Sequence, residues 1–415
     1  MLESVTRWYL AVAEWLRGQP AEAERAFVSS SSSIAAWRAT GQLTLAAWGY
    51  YYLGQVQRAQ GRLGAALGTY QEALEVVAGE PGGPAMPAAG IPYVGLAEVS
   101  YERGDLDTAL HNATHGVALS KQLGWTLPLV AGLTILARIR QAQGDRAGAL
   151  KAIREAELVQ LSDAVVGLLN PAPALRAQLA LANDQVEAAA LWVQQRGLAV
   201  QDRPSYPRER DTLVLARVLL ARQAPEQALA MLGNWVALAA DQGRTESIIE
   251  LRALQALAHA ARDDEPAAMA TLAEALTLGA PEGYLRVFVD EGPPMAALFS
   301  KLLAGRQLAE LAATDTIPRD YLTRLAAAFE QAGSPVLPPA RRGAVVVPGL
   351  IEPLSTRELE VLELLAVGKP NRAIAEELVI TLDTVKRHVS HLLDKLGAAN
   401  RTQAVARARE LDLLR

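Results

Sequence analysis

The chain has 415 residues, 51% hydrophobic but only 5% aromatic, and a formal net charge of −5. That length suits two or three domains rather than one core, and an alanine-rich, aromatic-poor composition argues against β-sandwiches and barrels. The absence of cysteine excludes disulfide frameworks, zinc ribbons, iron–sulfur centres and thiol nucleophiles. No basic leader opens the chain, and the longest smooth apolar stretch, Leu127–Ile139, is shorter than the ~18–20 residues of a membrane span. A cytoplasmic, all-α protein without membrane association is expected.

From the N-terminus one pattern recurs: Leu then Gly or Ala, a polar turn about eight residues on, Ala five later and a large apolar residue four later. Leu10, Ala11, Gly18, Ala23 and Phe27 begin it, and Leu53, Gly54, Gly61, Ala66 and Tyr70 repeat it. Leu96, Ala97, Gly104 and Ala109 follow, then Leu136, Ala137, Gly144, Ala149 and Ile153. Weaker copies centre on Asn183, Gln223 and Asp263. The turns at 18, 61, 104, 144, 183, 223 and 263 predict about seven helix–turn–helix pairs over residues 1–280. Small residues such as Gly54, Ala66 and Ala73 let the helices approach, while Tyr70 or Ile153 fills the wedge between repeats. The pattern resembles a tetratricopeptide repeat lengthened to about 40 residues, which implies a right-handed helical superhelix. Ser29–Ser33 reads as a solvated loop, not a nucleophile site.

The beat stops after Pro281. Residues 281–332 are expected to hold short capping helices, and 333–349 a Pro-rich linker carrying Pro335, Pro338, Pro339 and Pro348. Residues 350–415 restart with Ser355 and Glu358 as a capping box ahead of Leu359, Leu362 and Leu365. Gly368 and Pro370 end that helix, and Asn371–Leu378 forms a second, with Ile374 and Ala375 inward. Thr381 starts a third, stopped by Gly397, and a fourth runs from Thr402 to about Leu413. On the third, Val385, Val389, Leu392 and Leu396 share one arc at 100° per residue. The opposite arc carries Thr384, Arg387, Ser390 and His391, flanked by Lys386 and Lys395. Two short helices around a tight turn, the second with such a face, are the geometry of a DNA-reading helix-turn-helix. Residues 350–415 as a whole balance ten basic against ten acidic side chains, so a diffuse basic footprint is missing.

These residues, from Leu354-Ser-Thr-Arg-Glu through Thr384-Val-Lys-Arg-His-Val-Ser-His to Asn400-Arg-Thr-Gln-Ala, resemble the LuxR-type helix-turn-helix. Leu285–Leu298 resembles the stretch before the linker in MalT-like members, the large ATP-binding regulators of that group. The resemblance implies a transcription regulator on double-stranded DNA, with Lys386, Arg387 and Ser390 reaching bases and Thr384, Lys395 and Arg401 meeting phosphate. Thr381 and His391 complete the expected phosphate set. The chain departs from the family pattern at Ala373 and at Leu382-Asp383, and Asp383 near phosphates would weaken non-specific affinity. These 415 residues contain no Gly-x-x-x-x-Gly-Lys-Ser/Thr loop, so the ATPase module of the large members is not encoded in them. The family's pairing through its fourth helix points to Val405, Ala408 and Leu411 as a small seam, hence a monomer that pairs on two half-sites.

Three further readings complete the expectations. His111 and His115 have the i,i+4 spacing of a zinc pair but lack a neighbouring third ligand, so no metal and no cofactor are expected. By repeat register, Tyr51, Gln55, Arg58, Glu98, Tyr101 and Arg138 line a concave groove with room for a small molecule or peptide. No acid/base pair or nucleotide loop assembles, so catalysis is not expected. The alternative to a regulator is a repeat scaffold whose C-terminal helical unit binds protein partners.

Overall fold

The computed structural model describes residues 2–29, 31–77, 86–159, 170–304, 317–334, 356–377, 385, 386, 389, 392, 393, 395–398 and 400–411. Among them are 21 α-helices and no strand. They form two compact units, one of residues 1–302 with 306–336 and one of 337–415 with 303–305.

The first unit is a stack of helix pairs. α1 (Leu2–Leu16) packs on α2 (Pro20–Ser29), and after the extra α3 (Ser31–Ala39), α4 (Leu43–Ala59) packs on α5 (Leu63–Val77). α6 (Gly90–Glu102) pairs with α7 (Leu106–Leu123), α8 (Thr126–Ala142) with α9 (Arg146–Leu158), and α10 (Ala172–Ala182) with α11 (Val186–Gln195). α12 (Glu209–Ala221) pairs with α13 (Pro225–Asp241) and α14 (Thr245–Ala261) with α15 (Glu265–Gly279). First helices of successive pairs touch each other, as a superhelix requires.

Each pair turns through one residue in the left-handed region: Gly18, Gly61, Gly104, Gly144, Asp184, Gln223 and Asp263, with φ between 57° and 80°. The fifth turn is centred on Asp184, not Asn183. Asn183 instead is the C-cap residue of α10, its side-chain amide donating to the Leu179 carbonyl at 2.7 Å. Asp105, Asp145 and Asp264 then cap the second helices, accepting from the amides of Thr108, Gly148 and Ala267 at 3.1, 2.8 and 3.2 Å. The wedge residues act as the pattern predicted. Tyr70 is fully buried between Gly54 and Gly95, where an added Cβ would lie 2.3 and 2.5 Å from its ring.

The serine run is the clearest departure. Ser29 ends α2 and Ser31–Ser33 open α3, so most of the expected loop is helical. Tertiary packing overrides the local preference: Ile34 and Trp37 are buried, and Ile34 lies against Gly49, where a Cβ would meet it at 2.9 Å.

After α15 the chain turns at Gly283 (φ 77°) into α16 (Arg286–Val289), α17 (Gly292–Ala304) and α18 (Arg319–Gln331). Phe288 and Val289 are buried, Phe299 packs on Phe329 with centroids 5.6 Å apart, and the Tyr321 hydroxyl donates to the Tyr284 carbonyl at 2.6 Å. The linker assigned to 333–349 lies almost wholly outside the described residues. The second unit holds α19 (Thr356–Ala366), α20 (Asn371–Glu377), helical residues between 385 and 396, and α21 (Arg401–Glu410). No helix among the described residues is long and apolar enough to cross a membrane.

Candidate nucleic-acid interface

The second unit is built around one apolar cluster. Val361, Leu362 and Leu365 from α19 and Ile374 and Ala375 from α20 meet Val385, Leu392 and Leu396 of the third helix and Ala404 and Ala408 of α21. Val389 packs partly against the same cluster. The arc that the 100° periodicity assigned to the interior is therefore the buried one, and Lys386, next to buried Val385, is exposed.

The described basic residues of this region divide by environment. Lys395 bonds the Glu358 carboxylate at 3.0 Å, and Arg401 donates to the Lys369 carbonyl at 3.0 Å. Both side chains thus bind elements of their own unit. Glu358, assigned to a capping box, is the buried acceptor of Lys395; its expected partner Ser355 lies outside the described residues. So do Thr381, Thr384, Arg387, Ser390 and His391. The fourth helix differs from expectation in what it buries. Ala408 is fully enclosed, and Val405 and Leu411 pack on the unit's own core, so the seam expected for a partner copy is largely occupied within the unit. Asn400 caps that helix, accepting from the Gln403 amide at 3.0 Å.

The six concave-groove residues of the first unit come together, and they meet the chain itself. Tyr51 packs among Trp48, Tyr52 and Tyr70 at centroid distances of 5.8–6.1 Å. Arg58 binds Glu98 at 2.6 Å and Glu246 at 2.8 Å, and Gln55 donates to Glu98 at 2.5 Å. Tyr101 donates to Asp290 at 2.6 Å, and Arg138 binds Glu102 at 3.0 Å while lying over the Tyr101 ring at 4.4 Å. Burial pushes the Glu102 carboxyl up from its ordinary range, with Arg138 opposing it. The acidic partners Glu246 and Asp290 escaped the repeat pattern. In the sequence Asp290 is marked by the break in periodicity after Pro281 and by the resemblance over Leu285–Leu298, neither of which points to its partners. A cleft of about 1520 Å³ remains, running from the turns at Gly104, Gly144 and Asp184 to Arg138, Arg286 and Asp290. His111 and His115 are exposed with rings 4.2 Å apart, and no cluster of three or more metal-ligating side chains occurs among the described residues.

Residues 2–305 match the family described as the MalT-like TPR region, and residues 352–408 match the luxR family of bacterial regulatory proteins. The chain is 53% identical over 57 residues to the transcriptional regulatory protein LiaR of Bacillus subtilis, covering 14% of this chain and 27% of that one. It is 35% identical over 152 residues to the HTH-type transcriptional regulator MalT of Serratia proteamaculans, covering 35% of this chain and 16% of that protein. The response regulator protein VraR of Staphylococcus aureus is 48% identical over 65 residues, covering 16% of this chain and 31% of the relative. The chain thus spans less than a third of the length of each of these relatives. With most of its length matching one family, the chain belongs to the MalT-like TPR family and carries a C-terminal DNA-binding domain of the luxR family of bacterial regulatory proteins.

Proposed function

We propose that this chain is a transcription regulator whose C-terminal unit reads the major groove of DNA and whose repeat unit is its sensing or docking arm. The observation that carries this reading is the third helix of the second unit, inside the luxR-family match. Its Val385, Leu392 and Leu396 are buried while Lys386 is exposed. The apolar face anchors the helix in this unit's core, and the opposite face is assigned to base edges.

Lys386, Arg387 and Ser390 are assigned to bases, and Thr381, Thr384 and His391 to phosphate. Lys395 supports this interface by tying the third helix to α19 through Glu358, and Arg401 ties α21 to the turn after α19 through the Lys369 carbonyl. Two copies occupy a two-half-site operator, each a monomer when free, and the protein acts in the cytoplasm. The cleft of the first unit is the place for a small-molecule or peptide effector. No catalytic step is assigned. The scaffold alternative has no observation of comparable weight behind it.

Selection from random duplexes, followed by anisotropy titration of the full chain over a salt series, tests the reading. One enriched motif, bound at least ~10³-fold more tightly than scrambled duplex, is expected. Equal binding of all sequences would overturn it.

A further inference from the structure

The first unit closes on itself, bringing its last repeat and capping segment back onto its second and third repeats. The contacts along this seam combine ion pairs and hydrogen bonds with a few close packings, Tyr206 at Gly18, Thr245 at Gly61 and Leu285 at Gly104. Arg58 binds Glu246, 188 positions away, and Tyr284 donates its hydroxyl to the Arg58 carbonyl at 3.5 Å. The Gly64 amide donates to Glu282 at 2.7 Å, and Arg103 donates to the Glu282 carbonyl at 3.1 Å. The Leu285 amide donates to the Glu102 carbonyl at 2.7 Å, and Tyr101 and Arg138 both reach Asp290. Further along, Gln242 donates to the Arg17 carbonyl at 3.1 Å.

Contacts between neighbouring repeats add larger apolar wedges to their ion pairs: Tyr70 between Gly54 and Gly95, or Trp235, Leu232 and Val214 in the cluster joining α10 to α14. The capping segment also turns its apolar side chains, Phe288 and Val289, into burial. A seam between repeats distant in sequence, held by ion pairs and single hydrogen bonds around a few close packings, is the interface of this unit most like one between domains, and it separates first.

We propose that this seam is a clasp, opening as a unit while every repeat stays folded. In the open state Arg58 loses Glu246 and the Tyr284 hydroxyl, and Tyr101 and Arg138 lose Asp290, while Tyr51, Gln55 and Glu98 keep their partners within the repeats and complete an inner face that becomes accessible. In the closed state the chain's own acidic residues occupy that face. This device rests on the first unit alone and is independent of DNA binding.

Hydrogen exchange on the full chain tests it. The reporter is the Leu285 amide, and the reference is the set of amides in α13 around fully buried Trp235. In the wild type, Leu285 should exchange at least tenfold faster than the reference and with a shallower dependence on denaturant. The double variant Glu282→Gln with Asp290→Asn should add at least a further tenfold at Leu285 and leave α13 unchanged. Its radius of gyration by small-angle scattering should rise, with far-ultraviolet circular dichroism unaltered. Glu209→Gln, which breaks an ion pair with Arg244 between adjacent repeats, should not reproduce this pattern. If Leu285 and α13 exchange together, with one rate and one denaturant slope, the ring comes apart only by unfolding and the clasp does not exist. That wild-type comparison decides even if the double variant fails to fold.

Discussion

Lys395 holds the carboxylate of Glu358 at 3.0 Å, tying the third helix of the C-terminal unit to the start of α19. Glu358 is only 4% exposed, so removing the cation takes an ion pair from a buried carboxylate. Lys395→Ala should lower the stability of this unit by about 2–3 kcal/mol, less than a fully enclosed pair because the lysine is partly solvated. Urea unfolding checks it: if Lys395 acted on phosphate alone, the midpoint would stay in place. Lys395→Met combined with Glu358→Leu should regain most of the loss, since neither charge is then left buried alone.

The two units should unfold separately. Ten buried side chains, from Val361 to Ala408, form an apolar core within the second unit. Calorimetry of the full chain should show two transitions, with Lys395→Ala moving only one. A single transition that shifts as a whole would contradict this, as would an unfolded fragment 350–415.

The turns between paired helices supply a third expectation. Asp184, Gln223 and Asp263 have φ of 60°, 57° and 58°, where a Cβ crowds the backbone and glycine does not. Each change to glycine should therefore stabilise the first unit by up to about 1 kcal/mol, net of the greater freedom glycine has when unfolded. Gly144→Ala, at φ 80° with nothing within 4 Å of the new Cβ, should destabilise by a similar amount through backbone strain alone. Urea midpoints of the four variants measure this, and a loss of stability in all three glycine variants would refute it.

Much of this architecture was legible because it is periodic. A turn every 40 or so residues marks itself through glycine, and Tyr70 opposite Gly54 is a local pairing within one repeat. The errors arose where packing over-rode local preference, as in Ser31–Ser33, drawn into helix by Ile34 and Trp37. Periodicity also says nothing of where a superhelix closes. Arg58 was placed on the inner face by register, yet its partner Glu246 lies five repeats on and obeys no spacing rule. The same holds in the C-terminal unit. The buried arc of the third helix follows from 100° steps, whereas the bond from Lys395 to Glu358 spans 37 positions and depends on how α19 crosses that helix.

The last expectation concerns base reading. Lys386 is exposed beside the buried Val385, and Arg387 follows it in the sequence. The early turns of a recognition helix are the ones that enter the major groove. A guanidinium there can make a bidentate contact to guanine, so Arg387→Ala should cost about 1–3 kcal/mol on the selected site and relax preference at one base pair. Lys386→Ala should have a smaller effect of the same kind, because an ammonium lacks the planar fork. The urea midpoint of the unit, measured alongside, separates a lost DNA contact from a loss of stability of the kind expected for Lys395→Ala. Titration against selected and scrambled duplexes over a salt series is the measurement. A loss confined to the selected duplex assigns Arg387 to a base. An equal loss on both, with the salt slope lowered by about one, assigns it to phosphate instead and rotates the groove-facing arc away from the one argued here.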